Sequence, residues 1–580
     1  MDTSTEKDIL KRKIEVASGK KRCDVVFRNA KIVDVLSHEI VEGSIGIDNG
    51  RIVGIGPYEA DKEIDVKGKY LMPGLIDSHV HIESSLAPPD SFARAVIPHG
   101  TTTVIADPHE IANVKGAAGI KFMIRSAKKV PMNIFFMIPS CVPATTFEHS
   151  GAVLDASAID SLMDYENVLG LGELMDYPSV ISANDDILDK ILTASSRNKL
   201  IDGHGPMLEG KALNAYVAAG VRTDHESSTV DEMRDRLRAG MYILMREGSA
   251  AHDLKALLGG VTEGNSRRCM FCTDDRQPED ILKSGHINNH LRISVEMGID
   301  PITAVQMATI NAAQCFRLNN IGAVATGYEA NFVIVDNLKD FTVKDVYYKG
   351  NLVARDGEAV FKAEKEDIQA VSGKLNVKPF GVEKFNLKLR SDIARVMRLK
   401  AHSLLTEKVQ RKIFRDKDGN FDQHPELDIL KLAVIERHNA TGNIGIGLVE
   451  NFKLQNGAIA TTIAHDSHNI IVIGDNDEDM YSCVNELIKI GGGITMCSRG
   501  KILGTLPLPI AGLMSDKPLP EINKKLKEMN KTAYEVLKVN KTLDPFMTLA
   551  FLALPVIPEL KLTDLGLFDV TEFKFTDISV

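Results

Sequence analysis

Between about residues 71 and 322 the sequence alternates short apolar runs with longer helix-like stretches, and polar residues close nearly every run. The runs are "LMPGLIDSHVH", "TTTVIADPHE", "NIFFMIPS", "VLGLGELM", "KLIDGHGP", "VRTDHES", "MYILMREGS" and "CMFCTDDR", eight in all. Continuous apolar strands separated by helices belong to parallel sheets buried on both faces. Eight of them in roughly 250 residues fit a (β/α)8 barrel. A doubly wound open sheet is the competing fold. The barrel is preferred because such folds carry their chemistry at the C-terminal ends of the strands, where the polar residues of these runs lie.

The flanks read differently. "CDVVFRNAKIVDV", "EGSIGIDNGRIVGIG" and "KEIDVKGKYLMPG" are short strands and turns, and a second strand-rich piece covers 323–358. In "IDNGRIVGIG", Asn49-Gly50 suits a type I′ turn between two apolar runs, and "YKGNLVARDG" reads as another hairpin. Two β pieces around a long middle predict one small β-sandwich domain built from both ends, 1–72 plus 323–370, with the barrel at 73–322. Beyond about 370 the pattern changes again. "RSDIARVMRLKAHSLLTEKVQRK" is expected to be a charged helix. Strands in "IGIGLVENF" and "AIATTIAHDSHNIIVIG" and a helix in "DEDMYSCVNELIKI" then predict an additional C-terminal α/β domain over 371–580. The "GGGITM" turn has neither the spacing nor the lysine of a P-loop.

Composition excludes several classes. A formal net charge of −10 argues against nucleic acid as the main partner. The first 22 residues have no apolar core of the secretory kind. "FMTLAFLALPVIP" is short and broken by Pro555 and Pro558, so it is expected in the core rather than in a membrane. The seven cysteines are scattered, and the CxxC of Cys269 and Cys272 has no second pair to complete a zinc site. Reduced, buried thiols in a cytoplasmic protein are expected.

The ends of the runs collect ligand-type side chains. His79 and His81 close the first, and alternate residues of a strand face the same way. Glu173 closes the fourth, His204 the fifth, His225 the sixth and Asp274 the eighth. One histidine or aspartate at a strand end is more often a cap or a hydrogen-bonded polar group. Six ligand types closing five runs of one inferred barrel point to a metal site instead. Mixed nitrogen and oxygen donors suit Zn, Mn, Fe or Co, the set is large enough for two ions, and Glu173 is the natural bridge between them.

"PGLIDSHVH" resembles the opening of the amidohydrolase superfamily, whose barrels carry HxH on the first strand. "DPHEIANVKG" (107–116), "GLGELMD" and "AHDSHN" (464–469) are more specific, and together they resemble the bacterial and archaeal adenine deaminase family over nearly the whole chain. The resemblance implies hydrolysis of adenine to hypoxanthine and ammonia by a metal-bound hydroxide, in purine salvage. It also implies two divalent ions (Mn or Fe, with Zn as the other choice) on His79, His81, Glu173, His204, His225 and Asp274, and a homodimer is in keeping with it. Asp274 is expected to take a proton from the attacking water and return it. Either His225 or Glu226 is expected to contact the purine, Glu226 having the alternative role of orienting a liganding histidine. Many cyclic-amide hydrolases of the superfamily carry a carboxylated lysine where this chain has Glu173. The alternative activity, on another aminopurine or a cyclic amide, is therefore disfavoured. A scaffold that kept the barrel only for partner binding would be expected to have lost ligands, and none of the six is missing.

Two further groups remain: Asp107, His109 and Glu110 after the second run, and His465, Asp466 and His468 in the C-terminal domain. The expectation is that the C-terminal domain closes over the barrel mouth and the two groups meet, binding substrate or a third metal. A polar loop making interdomain hydrogen bonds is the other reading. Arg246, Glu247 and Ser249 either line the base pocket or, preferably, form rim ion pairs, Arg246 with Glu247 or another acid. His286 and His290, four apart, are expected to face solvent or to hydrogen-bond rather than chelate.

Overall fold

The computed structural model describes residues 3–424 and 426–580. All eight predicted runs are strands: β1 (Leu75–Val80), β2 (Thr101–Ala106), β3 (Asn133–Ile138), β4 (Val168–Leu174), β5 (Leu200–Gly203), β6 (Thr223–Asp224), β7 (Tyr242–Arg246) and β8 (Cys269–Cys272). β1 to β5 form one parallel sheet in sequence order, and β6 to β8 form a second. A parallel bridge between Val80 and Asp274 links the end of β1 to the residue just past Thr273, beyond β8. The arrangement is TIM-barrel-like, with a parallel half-barrel as its largest sheet. β1, β2 and β8 are buried along their whole length, which is why these runs are apolar without alternation.

Both flanks contribute to a single nine-stranded sheet, joined where Tyr70–Pro73 pairs with Phe332–Val335. Its core holds Phe27, Phe332 and Tyr347, whose ring centroids lie 4.8–5.0 Å apart. Both expected hairpins are present. Asn49 and Gly50 have φ of 49° and 72°, and Lys349 and Gly350 have 48° and 76°, the positive values a type I′ turn needs.

The C-terminal part is built on an eight-stranded sheet. The expected charged helix within 390–412 is absent. Ile393–Leu399 and Thr406–Lys412 are antiparallel strands, paired residue for residue. In "TEKVQRK" burial alternates with period two, with Glu407 and Arg411 on the half-buried face and Lys408 and Lys412 on the exposed one, and Glu450 accepts from Arg411 and from Arg398 of the paired strand at 2.7 Å. Charge density concealed a strand period. "FMTLAFLALPVIP" contains the helix Pro545–Ala550 and a 3-10 turn, both buried. Among the described residues no helix is long and apolar enough to cross a membrane. All seven cysteines are buried and unbonded.

Candidate functional site

β1 turns both His79 and His81 to one side, as the period of two requires, and brings their Nε2 atoms within 3.1 Å. Asp274 is pinned beside them by backbone bonds, its amide donating to His79 O at 3.0 Å and His81 N donating to its carbonyl at 3.2 Å. Its φ of 57° is unusual for a residue with a side chain, and these two bonds hold it there. Asp274 Oδ1 then stands 3.0 Å from His81 Nε2 and 3.7 Å from His79 Nε2.

Glu173, at the end of β4, has a different imidazole pair at each oxygen. Oε1 lies 2.9 Å from His109 Nδ1 and 3.5 Å from His81 Nε2. Oε2 lies 2.9 Å from His204 Nδ1 and 3.2 Å from His225 Nε2. His204 and His225 approach each other at 3.3 Å, and the rings of His79 and His225 stack at 4.1 Å. The six residues expected at the barrel mouth are thus gathered into one cluster.

The groups reserved for a lid are not separate from it. His109 joins the main cluster through Glu173 and also stands 3.3 Å from Glu110 Oε1. Glu110 in turn accepts from His465 Nδ1 at 2.8 Å and contacts His468 Nε2, so the helix that follows β2, His109–Ala127, meets the C-terminal domain at this carboxylate. His465 and His468 sit on one turn closed by His468 N donating to Ala464 O at 2.7 Å. Asp466 lies 3.9 Å from both His109 and His465. Asp107 supports the backbone of Glu173. It is fully buried, and its Oδ2 accepts from the Glu173 amide at 2.9 Å. Gly172 makes that approach feasible, since a Cβ there would lie 2.1 Å from Asp107 Oδ2.

Arg246 pairs with Glu226, with Asp274 Oδ2 at 3.0 Å and with Asp253 at 3.0 Å, rather than with Glu247, which instead accepts from His252 at 2.9 Å. Ser249 donates to Asp280. Glu226 Oε1 is 3.7 Å from His204 and 3.5 Å from His225. His286 and His290 are buried, not solvent-facing. His286 reaches Asp77 at 3.2 Å, and His290 Nε2 donates to Cys272 O at 2.9 Å, because the helix Ile287–Glu296 packs beneath β1 and β8. Among these supports, sequence reasoning missed Asp77 and Asp202. Asp202 Oδ2 holds His79 Nδ1 at 3.0 Å, and Asp77 accepts from Thr273 N at 3.0 Å. The available signal was a carboxylate inside an otherwise apolar run, in "GLIDSHVH" and "KLIDGHGP". Glu83 was missed as well. It lines, with Glu110, His465 and Phe551, a cleft of about 280 Å³ between the barrel and the C-terminal domain.

Electrostatics favour a cation. Burial works against charge on His225, but Glu173, Asp274 and Glu226 outweigh it and push the imidazole up to about 10. Burial likewise opposes charge on Glu173, yet His109, His204 and His225 hold it well below the usual carboxylate range. His79 is the exception, drawn down by burial and by His225 despite Asp202. The donor set fits a divalent metal. Paired imidazole nitrogens 3.1–3.3 Å apart cannot both direct protons at each other, and lone pairs with carboxylates between them suit one or more ions. Donor groups that converge closely include His79–His81–Asp274, His79–Glu173–His225, His81–His109–Glu173 and Glu110–His465–His468.

The amidohydrolase family profile matches residues 70–353, and the adenine deaminase C-terminal domain profile matches residues 403–574. The chain is 53% identical to an adenine deaminase of Nitratidesulfovibrio vulgaris over 576 residues, covering 99% of this chain and 100% of that one. It is 50% identical to one of Clostridium acetobutylicum, covering 98% and 99%. Among solved structures, a beta-aspartyl dipeptidase from Fervidobacterium islandicum AW-1 aligns with a TM-score of 0.45 at 16% identity, over 59% of this chain and 99% of that one.

Proposed function

This chain belongs to the adenine deaminase family of amidohydrolases, and we propose that it hydrolyses adenine to hypoxanthine and ammonia. The observation that carries the reading is Glu173, whose two oxygens each face two imidazoles. Adenine, rather than another aminopurine or a cyclic amide, is chosen because relatives matched along almost their whole length are adenine deaminases.

The residues that would hold the metal are His79, His81, Glu173, His204, His225 and Asp274, with His109 added on its contact with Glu173. A divalent cation bound there supplies Lewis acidity and lowers the pKa of a coordinated water. We take two ions, manganese or iron, as the best match to these donors. The chain's own groups do the rest. The attacking water adds its oxygen to C6 of the purine, and the amine leaves as ammonia. Asp274 is kept ionised because His81 and Arg246 outweigh the burial that would protonate it, so it can take the water's proton and pass it toward the ring or the amine. Asp202 fixes His79, and the Asp107 main-chain carbonyl fixes His81 at 3.0 Å, so that Nε2 of each imidazole faces inward. Glu226 or His225 contacts the purine, and Glu110, His465 and His468 close the cleft on it or hold a third ion.

The same reading takes β1 to β8 as one closed barrel, the nine-stranded sheet as a small β-sandwich, and 1–72 plus 323–370, 73–322 and 371–580 as the domains. It places the enzyme in cytoplasmic purine salvage, as a homodimer. The test is adenine turnover, followed by ultraviolet absorbance and ammonia release, on protein reconstituted with Mn, Fe or Zn beside a His79→Ala/His81→Ala variant. Metal-dependent hypoxanthine formation, absent from the variant, is expected. No turnover with any metal would reject the assignment and direct the search to other aminopurines and cyclic amides.

A further inference from the structure

A second cavity, of about 100 Å³, adjoins the His465–His468 turn through Arg437 and His438. Its walls come from both halves of the molecule: Lys115 on the barrel helix His109–Ala127, Lys374 in the segment entering the C-terminal domain, and Arg437 with His438 just past the strand Ile429–Ile435. Among the described residues its lining contains no aspartate or glutamate, in a chain whose net charge is −10.

Arg437 is 3% exposed. Its Nε donates to His468 O and its Nη2 to Ala511 O at 3.1 Å, while Nη1 has no partner among the described residues. The neighbouring carboxylate does not serve it. Glu436 is turned onto the amides of His438, Asn439 and Thr441. A buried guanidinium without a countercharge is costly, and Arg437 cannot escape by giving up its proton near neutrality. Glycine keeps the space before Nη1 open. A Cβ at Gly512, where φ is 75°, would lie 3.0 Å from it.

His438 adds a selective element. Its Nε2 lies 2.7 Å from Ser467 O, and a carbonyl only accepts, so Nε2 carries the proton. Nδ1 is left as an acceptor beside Gly151, where a Cβ would stand 2.9 Å away. Burial and the nearby Arg437 hold this imidazole well below its usual range, so it stays neutral.

We propose that this cavity binds inorganic phosphate, a tetrahedral oxyanion that carries a proton, with Arg437 Nη1 and Lys115 taking its charged oxygens and His438 Nδ1 accepting its hydroxyl. Phosphate rather than sulfate follows from the acceptor at Nδ1, because sulfate has no proton to offer at neutral pH. The free ion rather than a nucleotide follows from the volume and from backbone walls. Arg437 and His438 also hold the carbonyls of His468 and Ser467, so occupancy acts directly on the turn that carries the cleft's histidines.

The experiment is calorimetric titration of the metal-loaded, full-length protein with sodium phosphate, at an ionic strength held constant with sodium chloride. One phosphate per chain is expected, at least about tenfold tighter than sulfate. Lys115→Gln should weaken it about tenfold and Arg437→Gln should abolish it. The His79→Ala/His81→Ala variant should bind as the wild type does, which separates this site from any anion held by metal. Wild-type affinity in Lys115→Gln, equal binding of sulfate, or loss of binding in the His79/His81 variant would each overturn the proposal. If Arg437→Gln fails to fold, Lys115→Gln, half-buried at the cavity wall, carries the test. Displacement of phosphate by adenosine monophosphate at equal or lower concentration would overturn the assignment to the free ion.

Discussion

The barrel mouth and the interior of the C-terminal domain treat buried charge in opposite ways. At the mouth every imidazole of the cluster has a carboxylate within 3.7 Å, and the acids raise the pKa of most of these rings against the effect of burial. In the C-terminal domain Arg437 and Lys561 are buried with no ion-pair partner among the described residues, Glu436 acting on Arg437 only from a longer distance. Lys561 is fully buried, and its Nζ donates to the carbonyls of Leu404 and Phe551 at 3.0 Å. Burial pulls its amine down to about 7, and that of the Arg437 guanidinium to about 9. A lysine resolves the conflict by losing its proton, whereas an arginine keeps the charge and requires a counterion. At the mouth, by contrast, the carboxylates favour positive charge on most of the imidazoles they face, and the same field favours a bound cation.

Four variants sharpen that contrast, in decreasing order of effect. His79→Ala/His81→Ala removes two donors from the mouth and should lower kcat/KM for adenine by about 10⁴-fold or more, because several kcal/mol of transition-state stabilisation go with the metal. Retained metal content and turnover would mean the cluster is ordinary buried polarity. Asp202→Asn keeps the shape but loses the charge behind His79. It should weaken metal binding about 10- to 100-fold, read by chelator competition, with excess metal restoring activity. A structural role alone would leave the metal affinity unchanged. His465→Ala/His468→Ala removes the C-terminal contribution and should raise KM for adenine about tenfold with protein-bound metal at the barrel mouth intact. Wild-type kinetics would show that the C-terminal domain only covers the cleft.

The smallest effect is one of pH. The folded amine of Lys561 titrates near 7, below its unfolded value, so between about pH 7 and 10 the unfolded chain binds the extra proton. Stability therefore rises with pH across that window, and the cost of burying the charge is fully present below it. Urea unfolding at pH 7 and pH 9 should show the wild type gaining about 2 kcal/mol over Lys561→Met. A difference between the two proteins that does not change with pH would mean that Lys561 stays charged when folded.

The strand order around the mouth was legible because a strand buried on both faces leaves a largely apolar run, and the polar residues that close it mark where the layer ends. His79, His81, Glu173, His204, His225 and Asp274 all follow that rule, and the structure brings them together. Asp77 and Asp202 break it. They lie inside their runs, and only the fold reveals that they face a histidine or threonine rather than the apolar layer. The partner of His79 is 123 residues away, and no local pattern encodes that distance. His109 was grouped with the second cluster because it is adjacent to Glu110, yet the first turn of its helix directs the two side chains to different carboxyl and imidazole groups. The segment 393–412 failed for another reason. Its lysines and arginines resemble a solvated helix face, and the acid that answers Arg398 and Arg411, Glu450, comes from a strand later in the chain, 52 and 39 residues away.

The contact of Glu110 with His468 spans 358 residues, and the backbone bonds of Asp274 to His79 and His81 span nearly two hundred. During synthesis, at about 5–20 residues per second, His79 and His81 leave the ribosome many seconds before either partner exists. In that interval the nascent chain adds His109, Glu173, His204 and His225 to the two histidines. The donor cluster is complete only once Asp274 has followed the eighth strand, and the cleft only once Phe551, near the end of the chain, has been made. The full donor set is thus a late product of synthesis, and a ribosome stalled before residue 274 yields a chain without one of its carboxylates.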